Sequence, residues 1–167
     1  TYFDTDRQRR RWKAVQEASR TSQTDAKIKD EKMGTVGCVV LDRYGNLAAG
    51  TSTGGLTNKR YGRIGDSPVI GAGTYADNAT CAVSCTGIGE HFIRNAVAYD
   101  VSARMAYKEE SVGEAVRQII HEKLEPNFGG IIAVSRTGEI ALDFNTAGMF
   151  RGAADANGRF EIGIGRE

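Results

Sequence analysis

Thr35 is the residue whose surroundings point most directly to chemistry. It lies in Met33-Gly34-Thr35-Val36-Gly37, where a polar tract ends at a small residue and an apolar run begins. A threonine hydroxyl is a weak nucleophile without an adjacent base. If the Gly34–Thr35 bond were cut, the freed α-amine of Thr35 would supply that base from the same residue. Its reference pKa is about 8, close to working pH and far below that of lysine. A strand starting at Thr35 would fix the geometry of both groups. On these residues alone, an ordinary strand threonine remains the favoured reading.

Other motifs carry less. Gly71-Ala72-Gly73-Thr74-Tyr75-Ala76 matches the G-x-G-x-x-A dinucleotide pattern after a strand. That fingerprint needs a helix N-terminus next, to receive a pyrophosphate, and here Asp77-Asn78 turns the chain into another strand. Close backbone packing is the better account of these glycines. Arg7 to Lys13 (RQRRRWK) is the one basic cluster, but Asp4, Asp6 and Glu17 flank it and no second basic stretch follows. A solvated helix face is expected, with a basic interaction arm as the rival from a different functional class. Cys38, Cys81 and Cys85 fit neither zinc nor redox spacing, and His91 and His121 are far apart in sequence. Cys-Ala-Val-Ser-Cys reads as strand, which removes the helical face on which Cys81 and Cys85 would meet. Three free structural thiols in a reducing, cytoplasmic setting are expected.

The elements that would position these residues follow from pattern. Asp4 to Ala18 reads as a polar helix with a Thr5/Gln8 capping box, and Thr21 to Lys32 as a flexible linker that cannot bury enough surface to order itself. Thr35 to Asp42 is a β-branched apolar run, and Tyr44-Gly45-Asn46 turns it into a second strand, Leu47 to Thr53. A Gly-rich loop spans Gly54 to Pro68, followed by strands at Val69 to Tyr75 and Thr80 to Thr86. Ile93, Val97, Val101 and Met105 form one helical stripe. A second helix opens on a Ser111/Glu114 capping box and carries Val112, Ala115, Val116, Ile119 and Ile120. Ile131 to Val134 and Ile140 to Phe144 close the pattern as a hairpin. Strands, two helices, then strands imply an α+β layered fold.

The 167 residues, 40% apolar and 26% charged, suit one ordinary globular domain. A net charge of +1 argues against a general nucleic-acid or membrane-surface binder. No apolar run approaches the roughly 20 residues of a membrane helix. The chain opens on Thr1 rather than Met, so a longer N-terminal portion is expected to precede it.

Taken together, the ordered motifs weigh more than any one of them. Met33-Gly34-Thr35-Val36-Gly37, Gly50-Thr51-Ser52-Thr53-Gly54-Gly55, Gly62-Arg63-Ile64-Gly65-Asp66-Ser67-Pro68, Gly71 to Ala76 and Cys85-Thr86-Gly87-Ile88-Gly89-Glu90 occur in sequence, and Phe144 to Phe150 follows. In order and spacing the chain resembles the isoaspartyl peptidase/plant-type L-asparaginase family of N-terminal-nucleophile hydrolases, from its first helix to Glu167. The resemblance implies a four-layer αββα sandwich. Residues 1–34 would end an α subunit, and 35–167 would form the β subunit carrying the nucleophile.

The roles implied by the resemblance make chemical sense. Thr35 would be nucleophile and, through its amine, base, freed by self-scission at Gly34. Thr53 would orient Thr35. Arg63 would hold a substrate α-carboxylate through its planar fork of donors. Asp66 would hold the α-ammonium, and Gly89 would shape the pocket and offer backbone contacts. The Thr86 hydroxyl and Gly87 N–H would form the oxyanion hole. The implied substrates are asparagine and isoaspartyl dipeptides, with no redox cofactor or catalytic metal and no metal ligand in this chain. A structural sodium ion would belong to the missing N-terminal α-subunit portion, and two αβ units would assemble as (αβ)2, with no nucleic-acid or membrane partner. Glycosylasparaginase shares the nucleophile and the Gly-Arg-x-Gly-Asp-Ser-Pro motif, although Gly54-Gly55 and Thr57-Asn58-Lys59 fit the isoaspartyl peptidase side better.

Overall fold

The computed structural model describes residues 5–21 and 34–165. The chain divides into two compact units, Thr1–Gly34 with Gly54–Arg63, and Thr35–Thr53 with Ile64–Glu167.

In the first unit, helix α1 spans Asp6–Thr21. Thr5 caps it as its sequence foretells, with Oγ1 accepting from the Gln8 N–H at 3.3 Å and the carbonyl from Arg9 N–H at 3.0 Å. The helix runs three residues past Ala18. Asp4, the linker from residue 22 onward and Met33 lie outside the described residues. Basic residues 7, 9, 10, 11 and 13 are distributed around the helix rather than along one stripe. Residues 54–63 form a series of turns in which Asn58, Tyr61, Gly55 and Gly62 have positive φ, and Lys59 Nζ donates to the Gly54 carbonyl.

The second unit is layered, with mixed helix and sheet as the strand and helix patterns require. Strands β1 (Thr35–Leu41) and β2 (Leu47–Thr53) form an antiparallel hairpin with Thr35 opposite Thr53, Gly37 opposite Thr51 and Leu41 opposite Leu47. Its turn is built by Asp42, whose Oδ1 accepts from the Tyr44 and Asn46 N–H groups, both at 2.8 Å, while Gly45 takes φ +87°. Strands β3 (Thr74–Ala76), β4 (Cys81–Gly87), β5 (Gly129–Ser135) and β6 (Ile140–Phe144) form a four-stranded antiparallel sheet in chain order. The hairpin stacks on β4 and β5. The opposite face of the sheet carries α2 (Gly89–Arg94), α3 (Val97–Lys108) and α4 (Val112–Gln118), the last continued by a π-helical turn at Ile119–Lys123.

Two cores result, because β4 and β5 are buried on both faces. Cys81, Val83, Cys85, Ile131 and Ala133 meet Phe92, Val97, Val101, Val116, Ile119 and Ile120 on the helical side. Ala82 and Val134 meet Leu47, Val39, Leu41 and Ala49 on the hairpin side. Fully burying each large apolar side chain contributes about 1.5–3 kcal/mol.

Several expectations are corrected. Residues 69–73 are bend and turn, with Ile70 in an isolated bridge to Thr74, and only Thr74–Ala76 is strand. The Ile93–Met105 stripe is broken, because Ala96 adopts a left-handed conformation (φ 45°) between α2 and α3, leaving Ile93 exposed while Val97 and Val101 are buried. Cys81 and Cys85 do share a face, since a strand repeats every two residues. Both are buried free thiols, whereas Cys38 is exposed. An unanticipated hairpin, β7 (Gly148–Ala154) with β8 (Phe160–Gly165), follows β6. The Ser111 cap is found as expected, accepting from Glu114 N–H at 3.1 Å.

Candidate functional site

The β1–β2 register sets the first geometry of the site. Residues alternate between the two faces of a strand, so Thr35, Gly37, Val39 and Leu41 share the face turned to the large sheet with their partners Thr53, Thr51, Ala49 and Leu47. At the open end of the hairpin the Thr35 hydroxyl donates to the Thr53 hydroxyl at 3.2 Å. Thr35 is half-buried, and Gly34, just before it, is exposed.

A ladder of contacts places Thr86 in relation to this pair. At the closed end, Leu41 and Leu47 pack with Ala82. Four residues along each hairpin strand and two along β4, a Cβ at Gly37 would run into the Ser84 side chain, and Thr51 Oγ1 lies 2.7 Å from Ser84 Oγ. Two residues further along each strand, roughly 6.6 Å, come Thr35 and Thr53 on the hairpin and Thr86 on β4. By alternation, Thr86 lies on the hairpin-facing side of β4 with Ala82 and Ser84, and Thr35 and Thr53 lie on the sheet-facing side of the hairpin.

Asp66 lies alongside this stack. A Cβ at Gly73 would sit 2.6 Å from the Asp66 carbonyl carbon and 2.7 Å from Asp66 Oδ2, so glycine is required for the approach. The Gly73 carbonyl in turn accepts from Thr51 Oγ1 at 3.3 Å and from Cys85 N–H at 2.9 Å. Asp66 and Ser67 are buried. Burial pushes the Cys85 thiol well above its ordinary range, and the Asp66 carboxylate adds to the effect. Burial likewise pushes the Cys81 thiol up to about 11.

Gly87 ends β4 with φ +156°, and a side chain there would collide with the Phe128 carbonyl and the Phe92 ring. Ile88 N–H donates to the Phe128 carbonyl at 2.9 Å, and Gly89 is the buried first residue of α2. Arg63 falls in the first unit, where its N–H donates to the Arg60 carbonyl at 3.1 Å and its guanidinium lies beside Gly55.

The remaining candidates stand apart. His121 Nε2 is 3.0 Å from both carboxylate oxygens of Asp143, an exposed pair on the helical side of the sheet. The Gly71–Gly73 turn is tied to the start of α3, but with the polarity opposite to an anion cradle. Its Gly71 and Ala72 carbonyls accept the N–H groups of Tyr99 and Ala98 at 2.8 and 3.1 Å. Among the described residues no group of three or more His, Cys, Asp or Glu is placed to hold a metal ion. No helix among them is long and apolar enough to cross a membrane.

Two polar residues beside the site escape sequence reasoning. Ser84 interrupts a buried strand at a hairpin-facing position, a local signal that could have marked it. Asn145 falls inside the Phe144 to Phe150 motif, but nothing local gives its part, since its partners at residues 120, 125, 128 and 129 are distant in the chain.

Comparison with known proteins bears on the whole chain. A family model described as asparaginase matches residues 1–164. The isoaspartyl peptidase of Salmonella typhimurium is 53% identical over 139 residues, covering 82% of this chain and 44% of that protein. The probable isoaspartyl peptidase/L-asparaginase 2 of Arabidopsis thaliana is 58% identical over 130 residues, covering 78% of this chain and 40% of that protein. The human isoaspartyl peptidase/L-asparaginase is 36% identical over 166 residues, covering 96% of this chain and 51% of that protein. The chain thus spans about half or less of the length of these relatives. With the Thr35 strand, the Gly-Arg-x-Gly-Asp loop and the Thr-Gly-x-Gly turn all inside the matched span, this chain belongs to the isoaspartyl peptidase/L-asparaginase family.

Proposed function

We propose that the protein containing this chain is a self-processing amidohydrolase acting on the side-chain amide of L-asparagine and on β-aspartyl (isoaspartyl) dipeptides. The observation that carries this reading is Thr35 at the first position of β1, directly after Gly34, with its hydroxyl against that of Thr53 at 3.2 Å. The names of the relatives support the substrate class.

The chemistry begins with the chain itself. Thr35 Oγ attacks the Gly34 carbonyl carbon, the C–N bond breaks, and an ester with a free α-amine forms. Water hydrolyses the ester, leaving a Gly34 carboxylate and Thr35 as a new N-terminus. In turnover the amine accepts the hydroxyl proton as Oγ attacks the substrate side-chain carbonyl, then delivers it to the departing ammonia or amine. A β-aspartyl ester of Thr35 results. The same amine takes a proton from water as the water attacks the ester, and returns that proton to Thr35 Oγ as the acyl C–Oγ bond breaks and aspartate leaves.

The other residues divide the work. Thr53 holds the hydroxyl in line. Thr86 Oγ and Gly87 N–H receive the charge that develops on the carbonyl oxygen. Asp66 takes the substrate α-ammonium, Arg63, three residues earlier in the chain, the α-carboxylate, and Gly89 bounds the pocket. Because the nucleophile brings its own base, the scheme calls on no redox cofactor or catalytic metal. The hairpin, the four-stranded sheet and the helices are three layers of a four-layer αββα sandwich. The remaining layer comes from the N-terminal α-subunit portion, with its structural sodium, and the whole assembles as (αβ)2.

The test is direct. Full-length protein, expressed and purified, should show by mass spectrometry a break immediately before Thr35. Thr35→Ala should remain one uncut chain without β-aspartyl hydrolysis. Scission of that variant, or wild-type activity with an intact bond at Gly34, would end the reading. Relative rates on β-Asp-Leu and on glycosylated asparagine separate it from a glycosylasparaginase.

A further inference from the structure

Asn145 is buried, and its side chain is fully engaged. Its Oδ1 accepts the N–H groups of Phe128 at 2.9 Å and Gly129 at 3.1 Å. Its Nδ2 donates to the carbonyls of Ile120 at 2.8 Å and Glu125 at 3.0 Å. Its own N–H donates to the Gly129 carbonyl at 2.9 Å, and its carbonyl accepts from Asn127 N–H at 3.1 Å. An amide side chain offers two donors and one two-pair acceptor, so every capacity is used. Such a group is costly to bury unless all its bonds are made, and none of them serves the chemistry described so far.

What Asn145 grips is the segment that backs the Thr86–Gly87 turn. Gly129 pairs with Gly87, and Gly130 with Thr86. The Phe128 carbonyl accepts from Ile88 N–H at 2.9 Å, immediately after Gly87. There is no slack in the contact. A Cβ at Gly129 would overlap the Thr86 carbonyl and approach Gly87 Cα to 2.7 Å. A shift of Phe128 or Gly129 is therefore passed directly to the backbone of Gly87.

We propose that Asn145 is a positioning residue for the oxyanion hole, fixing the Gly87 N–H through Gly129 and Phe128. The inference rests on the oxyanion role given above to Thr86 and Gly87. A donor of this kind works only when it is aimed in advance at the place where charge develops. Misplacement by about 1 Å can lower turnover on the order of 100-fold. The substrate contacts assigned to Arg63 and Asp66 come from a different loop and are left alone.

Two variants of the full-length enzyme test this. Asn145→Leu removes all four side-chain bonds at similar volume, whereas Asn145→Asp keeps the acceptor for Phe128 and Gly129 and loses the paired donors. Hydrolysis of β-Asp-Leu is measured well below each melting temperature, per processed Thr35 terminus, and L-aspartate binding is measured by calorimetry. For Asn145→Leu, kcat should fall on the order of 100-fold while KM and aspartate affinity stay within about twofold. Asn145→Asp should fall on the order of tenfold, again at constant KM. An unchanged kcat, a rise in KM alongside any loss, or an Asp variant as impaired as the Leu variant would overturn the proposal. If the Leu variant does not fold or process, the kcat and KM of the Asp variant decide alone. A wild-type enzyme inactive on β-Asp-Leu would instead sink the functional reading beneath it.

Discussion

The hydroxyls of Thr35 and Thr53 lie 3.2 Å apart because the two residues are direct cross-strand partners at the open end of one hairpin. Neither side chain needs a long reach. The pairing holds the Thr35 hydroxyl in one direction while its backbone nitrogen stays at the start of the strand.

Thr53→Val should therefore lower kcat for β-Asp-Leu by about 10- to 100-fold with the fold intact, since it removes the orienting hydroxyl and little volume. Thr53→Ser should retain most of the rate. A Val variant with wild-type kcat would remove Thr53 from the site.

Chemistry and binding should separate between Thr86 and Arg63. Thr86→Val removes the proposed oxyanion donor, and kcat should drop by about 100- to 1,000-fold with little change in KM. Arg63→Ala removes a charged hydrogen-bond donor, and KM should rise by about 10- to 100-fold. Steady-state kinetics on one dipeptide series reads both, and an unmoved KM in the Arg63 variant would exclude it from substrate binding.

Gly37 lets the hairpin pack directly on Ser84 of the sheet. Gly37→Ala should destabilise by about 1–3 kcal/mol, because the new methyl group overlaps the buried Ser84 side chain. Adding Ser84→Gly should recover part of the loss, and urea midpoints of the single and double variants measure the coupling. Strictly additive losses would show that the two positions do not touch.

Cys81 and Cys85 should make the fold alkali-sensitive. Burial pushes the Cys81 thiol up to about 11 and raises the Cys85 thiol well above its ordinary range. Between the ordinary and the raised values the native state keeps its protons while the unfolded state releases them, so stability falls as pH rises above about 9 and is unaffected by these groups below it. Urea midpoints from pH 8 to 11 should decline more steeply in wild type than in Cys81→Ala/Cys85→Ala. Parallel curves would refute the assignment.

Much of the site's scaffold is legible in the sequence because it is local. β1, β2 and their turn follow from β-branched residues and Tyr44-Gly45-Asn46, and α4 from the Ser111/Glu114 pair. The failures come from tertiary context. The apolar stripe from Ile93 to Met105 keeps helical spacing straight through the left-handed Ala96, so periodicity gives no sign of the break. Hairpin β7–β8 is diluted by Gly148, Gly152, Gly163 and Gly165. Motif order picks out Thr35, Thr53, Asp66, Thr86 and Gly87. Asn145 is visible only once residues 120 to 129 have folded back on it.

The Asp42 turn has a reach beyond its own five residues. Asp42 sits seven positions, roughly 23 Å, from Thr35, and the Asn46 side chain beside it holds that exposed carboxyl below its usual range. Lengthening or shortening the loop by one residue would slide one strand past the other, and Thr53 would rotate to the far surface. Thr35 would keep its identity and its place in the chain yet lose its neighbour. Aspartate chemistry at the tip of a ribbon thus decides which way a hydroxyl points at its mouth.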